Sequence, residues 1–181
     1  SGNVNTGTFN GKAQIIKHLG STTQTVDTVL DGASTVWTSS HTLKGIAYLM
    51  VKLTYDVDVY PNGIPNISAV IQGKKILNVS TSATAYSNNP ANVIYDYLIS
   101  SNGFGASTGE VDTTSFAQAY SDCNDSISIT GGTQSRYTCN GVIILNRKPV
   151  EAIEDLVSSC AGTLTYQQGK FKLKVGKATS S

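Results

Sequence analysis

The sequence predicts an α+β protein: a β-rich first part, then a part in which helices and strands alternate and which ends in a β-hairpin. Three observations carry this. Strand patterns dominate before about residue 88, three amphipathic stripes with helical spacing follow, and two short alternating runs close the chain after Gly162. At 181 residues the chain suits one large domain or two small ones, and 39% hydrophobic residues suffice for a core.

In the first half, GKAQIIKHLG (Gly11–Gly20) reads as a short strand ending at a turn. TQTVDTVL and STVWTSSHTL are Thr/Ser-rich and ambiguous. The clearest strand is LKGIAYLMVKLTY (Leu43–Tyr55), with Ala47, Leu49, Val51 and Leu53 on one face and Ile46, Tyr48, Met50 and Lys52 on the other. The second face is mixed, which predicts a strand covered on both sides in its middle. Its expected partner is NISAVIQGKKIL (Asn66–Leu77), reached through YDVDVYPNGIPN as a long hairpin. Pro61 fixes φ for a turn, Asn62-Gly63 accepts positive φ, and Pro65 keeps Ile64 extended.

The second half opens at SNNPANVIYDYLIS. Asn89 can cap a helix with Pro90 at its first position, and Val93, Ile94, Tyr97 and Leu98 share a face. DTTSFAQAYSDC is a second helix, capped by Asp112 or Thr113, with the stripe Phe116, Ala119, Tyr120 and Cys123. DSISITGGTQS reads as a loop and RYTCNGVIIL (Arg136–Leu145) as a strand. KPVEAIEDLVSSC is the third helix: Pro149 starts it, Glu151 and Glu154 suit its positive end, and Gly162 closes it. In GTLTYQQGKFKLKVG, Leu164 and Tyr166 alternate, as do Phe171, Leu173 and Val175, about a tight turn at Gln168-Gly169.

Charged residues are only 14%, and the formal net charge is +1 with two arginines, Arg136 and Arg147. Neutral polar side chains must therefore supply the surface, and no basic stripe of the kind a general nucleic-acid binder shows is present. Lys170, Lys172 and Lys174 make a short row. It reads as a solvated face that discourages edge pairing, or as a weak contact with nucleic acid or an acidic partner. No apolar run is long enough for a membrane span, and no signal peptide is expected from SGNVNTGTF. Both ends read as cuts through a longer chain. Cys123, Cys139 and Cys160 have no C-x-x-C spacing and fit neither a disulfide framework nor a zinc site; buried free thiols are the plain reading.

Signatures of chemistry are sparse. His18 and His41 lack an evident Ser-Asp or Cys partner, and no phosphate loop, dinucleotide fingerprint or metalloprotease helix occurs. Three Asn-x-Ser sequons (Asn66, Asn78, Asn124) arise easily in so Ser- and Asn-rich a chain. Asp56 and Asp58, two apart on an extended segment, point the same way and can contribute to a divalent-cation site, with Asn62 and Asn66 as the nearby oxygens. The alternative is that they solvate the strand end and cap the loop. Asp122, Asn124 and Asp125 pose the same choice at a helix end.

Several stretches together resemble one family: HLGSTTQTVD, WTSSHTLKGIAYLMVKLTYDVDVYPNGIPNISAVIQGKKI, YSNNPANVIYDYL, FAQAYSDCND, RYTCNGVI and AIEDLVSSCAGTLTYQQGKFKLKVG. In this order, from about Gly11 to Gly176, they are similar to the central part of the tail-tip attachment (host-specificity, J-type) proteins of long-tailed phages and prophages. The resemblance implies a virion structural protein, a trimeric hub with β-barrel-like core domains at the distal end of the tail tube, assembled in the host cytoplasm. It implies a barrel- or sandwich-like insertion domain over residues 1–80 and an α+β hub domain with three helices over 81–181. Other tail-tip proteins and the tail tube are the implied partners, with the host receptor reached through other parts of a longer chain. No enzyme activity, cofactor, metal or nucleic-acid specificity is implied.

On this resemblance Asp56, Asp58, Tyr60, Pro61, Asn62, Gly63 and Pro65 form a structural corner, a candidate assembly loop rather than a catalytic one. Assembly in a reducing cytoplasm favours free thiols, with a Cys123–Cys139 bridge after release as the minor alternative. A carbohydrate- or receptor-binding module is the competing function, resting on tyrosines and neutral polar loops. A cell-wall hydrolase is the third and lacks any nucleophile, base or zinc signature.

Overall fold

Residues 13–19 and 47–53 pair along their whole lengths, and this ladder organises the first part of the chain. In the computed structural model, which describes residues 2–177, the chain divides into two units, Ser1–Ala69 and Val70–Ser181. In the first, β1 (Gly2–Asn3), β2 (Ala13–Leu19) and β3 (Ala47–Leu53) form an antiparallel sheet in that order, with Ile16 opposite Met50 and His18 opposite Tyr48. A short helix α1 (Thr28–Ala33) starts at Asp27, whose Oδ1 accepts from the backbone N–H groups of Val29 (2.9 Å) and Leu30 (3.0 Å). No barrel is closed among the described residues.

Two expectations for this region are corrected. Cover on both faces of β3 fails: Met50 is buried, but Leu49 on the other face is 43% exposed, beside Ile15 and Leu19 on β2. The hairpin to Asn66–Leu77 does not form either. The chain after β3 is tied back to Lys12 at the start of β2, so it does not return along β3, and residues 66–74 carry no regular structure. The partner of β3 is instead the earlier run at Ala13–Leu19.

The first unit buries few apolar side chains: Ala13, Met50 and Tyr60. Polar groups do much of the cross-linking. The buried Gln24 amide donates to the carbonyls of Thr42 (3.1 Å), Leu43 (2.8 Å) and Ile46 (3.3 Å), and its oxygen accepts from Gly20 N–H (2.8 Å). It thus holds a turn in which Leu43 has φ 45°, an uncommon conformation for a residue with a side chain. His18 Nε2 lies 2.6 Å from Asp27 Oδ2 and its ring stacks on Tyr48 at 4.4 Å.

The second unit is built on an apolar core. β4 (Lys75–Leu77) pairs with β5 (Thr84–Tyr86); α2 (Pro90–Ile99) and α3 (Thr113–Asn124) follow, with a 3-10 turn at Thr108–Glu110 between them. Next come the hairpin β6 (Ser126–Ile129) and β7 (Gly132–Ser135), α4 (Pro149–Ser158), and the hairpin β8 (Thr163–Gln167) and β9 (Lys170–Lys174). The three helices bring Ile94, Leu98, Phe116, Cys123, Ile153 and Leu156 together with Leu173 of β9. Tyr95 meets Phe116 edge to face at 5.8 Å. Asn89 caps α2 by accepting from Ala91 N–H (3.0 Å), and Asp112 caps α3 by accepting from Ser115 N–H (3.1 Å). The turn at Gln168-Gly169 has both residues at positive φ, 53° and 75°, as a two-residue hairpin requires.

Here too the structure departs from expectation. DSISITGGTQS is a hairpin, because Ser-Ile-Ser-Ile alternates and Gly131, at φ 90°, makes its turn. Arg136–Leu145 is not a strand. Its backbone N–H groups are taken singly by helix-flanking carbonyls: Arg136 by Asp125 (2.8 Å), Tyr137 by Cys123 (3.2 Å) and Cys139 by Asn88 (2.7 Å). After α4 the left-handed residue is Ala161, at φ 48°; Gly162 is needed for space, since a Cβ there would meet Cys160 Sγ at 2.9 Å and Lys174 O at 3.0 Å.

Candidate functional site

The corner after β3 is anchored by residues far back in the sequence. Tyr60 points inward and is buried; its hydroxyl donates to Lys12 O at 2.7 Å and its ring stacks on Phe9 at 5.7 Å. Lys12 Nζ pairs with Asp56 Oδ2 at 2.9 Å, and Asp56 Oδ1 accepts from Asp58 N–H at 3.1 Å. The hydrogen bond from Lys12 holds the Asp56 carboxyl below its ordinary range, helped by the Asp58 N–H. Asp56 therefore stabilises the turn, and Asp58 sits on its exposed shoulder. Pro61, Asn62 and Gly63 form the exposed tip, with Gly63 at φ 83°, and Pro65 is half-buried. The corner presents apolar side chains outward: Tyr55 and Val57 are exposed, and Ile64 is 82% exposed.

The anchors Phe9 and Lys12 were not legible from the sequence. Nothing local links a Phe and a Lys near the N-terminus to a Tyr some fifty residues on. Asp122 and Asp125 at the end of α3 both hold Lys177, at 3.0 and 2.7 Å, and Asp125 also lies 3.5 Å from Arg136. A protein cation thus occupies the position a metal would take. Among the described residues no three or more His, Cys, Asp or Glu side chains converge on one point.

In the second unit a hollow of about 670 Å³ lies against α2 and α4, walled by residues 71–76 and 139–147. Its floor is apolar (Ile76, Val93, Ala152, Leu156). Its rim carries two ion pairs, Lys74 with Asp96 at 2.8 Å and Arg147 with Asp155. The one thiol on the wall, Cys139, has no imidazole among the lining residues. Apart from Lys75 and Ile76 of β4, both walls are strand-like in sequence yet outside any ladder: Ile71 is exposed and Val142 is 91% exposed.

The three cysteines are free. Cys123 and Cys160 are fully buried partners, and their mutual hydrogen bond, with burial, pushes the Cys123 thiol well above its ordinary range. Such a thiol is unreactive in the folded state. The pairing places Cys160, not Cys139, against Cys123.

No protein-family model matches the chain. It is similar to the tip attachment protein J of Escherichia phage SECphi27, 31% identical over 149 residues. The match covers 71% of this chain and 12% of the phage protein's own length. No helix of the described residues is long and apolar enough to cross a membrane.

Proposed function

We propose that this chain is a structural piece of a phage tail tip, a portion of the baseplate hub that closes the distal end of the tail tube and links it to the parts that recognise the host. The observation that carries this reading is the 31% identity to a tip attachment protein across most of the chain. The surface described above supports it. Apolar side chains at the corner (Tyr55, Val57, Ile64) and on the walls of the α2–α4 hollow (Ile71, Val142) are exposed, as segments that pack in an assembly are before they dock. In this reading the full-length protein is a homotrimer assembled in the bacterial cytoplasm. Its neighbours are other tail-tip proteins and the tail tube, its chemistry is packing rather than catalysis, and the host receptor is engaged by other parts of the longer chain.

Immunogold labelling of particles with antibodies raised against this chain tests the proposal. Label confined to one tail end is expected; label absent from particles would overturn it. Light scattering of the isolated chain across concentrations then asks whether the trimer contacts lie within these residues. A second reading, a carbohydrate- or receptor-binding module of the tail tip, draws on exposed rings such as Tyr55 and Tyr166. Binding of the isolated chain to intact host cells separates it from the first.

A further inference from the structure

Two adjoining hollows in the second unit, of about 450 and 410 Å³, share Phe104 and Phe171. Several local features hold their walls in place. Phe104 N–H donates to Tyr97 O (3.0 Å) and Ala106 N–H to Leu98 O (2.8 Å), which fixes the loop after α2, and a Cβ at Gly103 would collide with Tyr97 O. Asp112 N–H donates to Phe171 O at 2.9 Å and so brings β9 against the 3-10 turn. Phe104 and Tyr166 then flank Phe171 at 5.4 and 4.7 Å, with interplanar angles of 83° and 59°. Three rings at steep mutual angles make a concave aromatic wall, open to solvent because Phe104 is 41% and Tyr166 55% exposed.

Each hollow carries one carboxylate: Glu110 in the first, Glu154 in the second. Glu110 Oε2 is fixed by Ser107, whose N–H and hydroxyl both donate to it at 2.8 Å. Its Oε1 is left with only Tyr166 Oη, at 3.5 Å, the outer limit of a hydrogen bond. The other six carboxylates of the second unit (Asp96, Asp112, Asp122, Asp125, Glu151, Asp155) each have a lysine or arginine within 4 Å. Among the described residues of that unit, the two acids left without a cation both line this aromatic groove.

The geometry points to this groove as a docking site for an arginine side chain of another polypeptide, with an apolar residue beside it. The guanidinium is planar, stacks on aromatic faces and forks to a carboxylate, so the Phe104–Phe171–Tyr166 wall and the free oxygen of Glu110 meet both of its needs. The adjoining hollow, lined by Val150, Ile153, Val157 and Leu164, takes the apolar neighbour, and Glu154 at its edge adds attraction. A neutral sugar fits less well, since the wall offers it few fixed donors. The inference rests on the groove alone and stands or falls separately from the tail-tip reading.

The test is a titration of the whole chain, followed by NMR, with a capped Arg-Leu dipeptide. The controls are the same dipeptide with citrulline, the uncharged isostere of arginine, and N-acetylglucosamine. Saturable shifts at Phe104, Tyr166 and Glu110 are expected, with binding at least about tenfold weaker for citrulline and further weakened by added salt. Phe104→Ala should abolish binding, and Glu154→Gln, on an exposed helix face, should weaken it severalfold without disturbing the fold. Equal binding of the citrulline peptide, shifts elsewhere on the chain, or binding of the sugar alone would each overturn the proposal.

Discussion

The two units solve the same problem with different materials. In Val70–Ser181 three helices and a hairpin enclose Phe116, Ile94 and Leu98, and burial of apolar surface dominates. Among the described residues of Ser1–Ala69 only Ala13, Met50 and Tyr60 are buried apolar residues, and order depends on Gln24, on the His18–Asp27 pair and on the Tyr60 hydroxyl. The difference teaches where each unit is vulnerable. A hydrophobic core fails when volume is removed, whereas a polar scaffold fails when one partner of a hydrogen bond disappears and leaves the other dry. The chain contains a single tryptophan, Trp37, which lies in the first unit, while the longer helices lie in the second. Indole fluorescence and helical circular dichroism therefore report on different halves of the comparison.

The largest effect is expected from Phe116→Ala, at about 3–5 kcal/mol, because a fully buried ring leaves a cavity that helices cannot collapse into. Urea titration of the helical signal reads this; a shift worth less than about 1 kcal/mol would mean the second unit is not core-dominated. Gln24→Ala comes next. It removes a donor from the carbonyls of Thr42, Leu43 and Ile46, of which Leu43 O keeps the Ile46 N–H, and should cost about 1–3 kcal/mol in the Trp37 transition. An unchanged midpoint would remove the polar scaffold from the account.

Acid should weaken the first unit. Burial acts to raise the Asp27 pKa, but hydrogen bonds from His18, Leu30 and Val29 outweigh it, and the carboxyl lies below its ordinary value of 3.8. Above that value both folded and unfolded chains hold the carboxylate charged, and its contribution is complete. As pH falls past 3.8 the unfolded chain takes up the proton first, so stability drains away until the folded pKa is also passed. Trp37 unfolding followed from pH 5 to pH 2 should show this loss, and Asp27→Asn should flatten it. The smallest effect belongs to the corner: Pro61→Ala should cost only about 0.4–1 kcal/mol, mainly by loosening the unfolded chain. A larger loss in the Trp37 transition would mean the corner is part of the scaffold rather than a tip resting on it.

Legibility in the sequence follows the same division. Helix caps and stripes in the second unit were readable because Asn89-Pro90, Asp112 and Lys148-Pro149 announce themselves within a few residues, and Phe116, Ala119 and Cys123 keep the helical spacing. Strand pairing was readable only where its turn was local. Gln168-Gly169 identifies its hairpin, but β3 finds a partner almost thirty residues back, and no short-range signal chooses that over the strand-like run at Asn66–Leu77. Val142, Ile144 and Leu145 have strand chemistry without a ladder among the described residues, since the preceding N–H groups are held by helix ends. At the corner, the turn residues were evident and the inward anchor Tyr60 was not, because its partners Phe9 and Lys12 meet it only in the folded unit.

The placement of the cysteines makes the second unit its own stopwatch. All three thiols lie in it: Cys139 is half-buried, while Cys123 and Cys160 are sealed in the core. An alkylating reagent added in timed pulses will mark Cys139 on the clock of local breathing. It will mark the other two only when the helices part, so counting adducts by mass converts one protein sample into a record of how often, and how far, that unit opens.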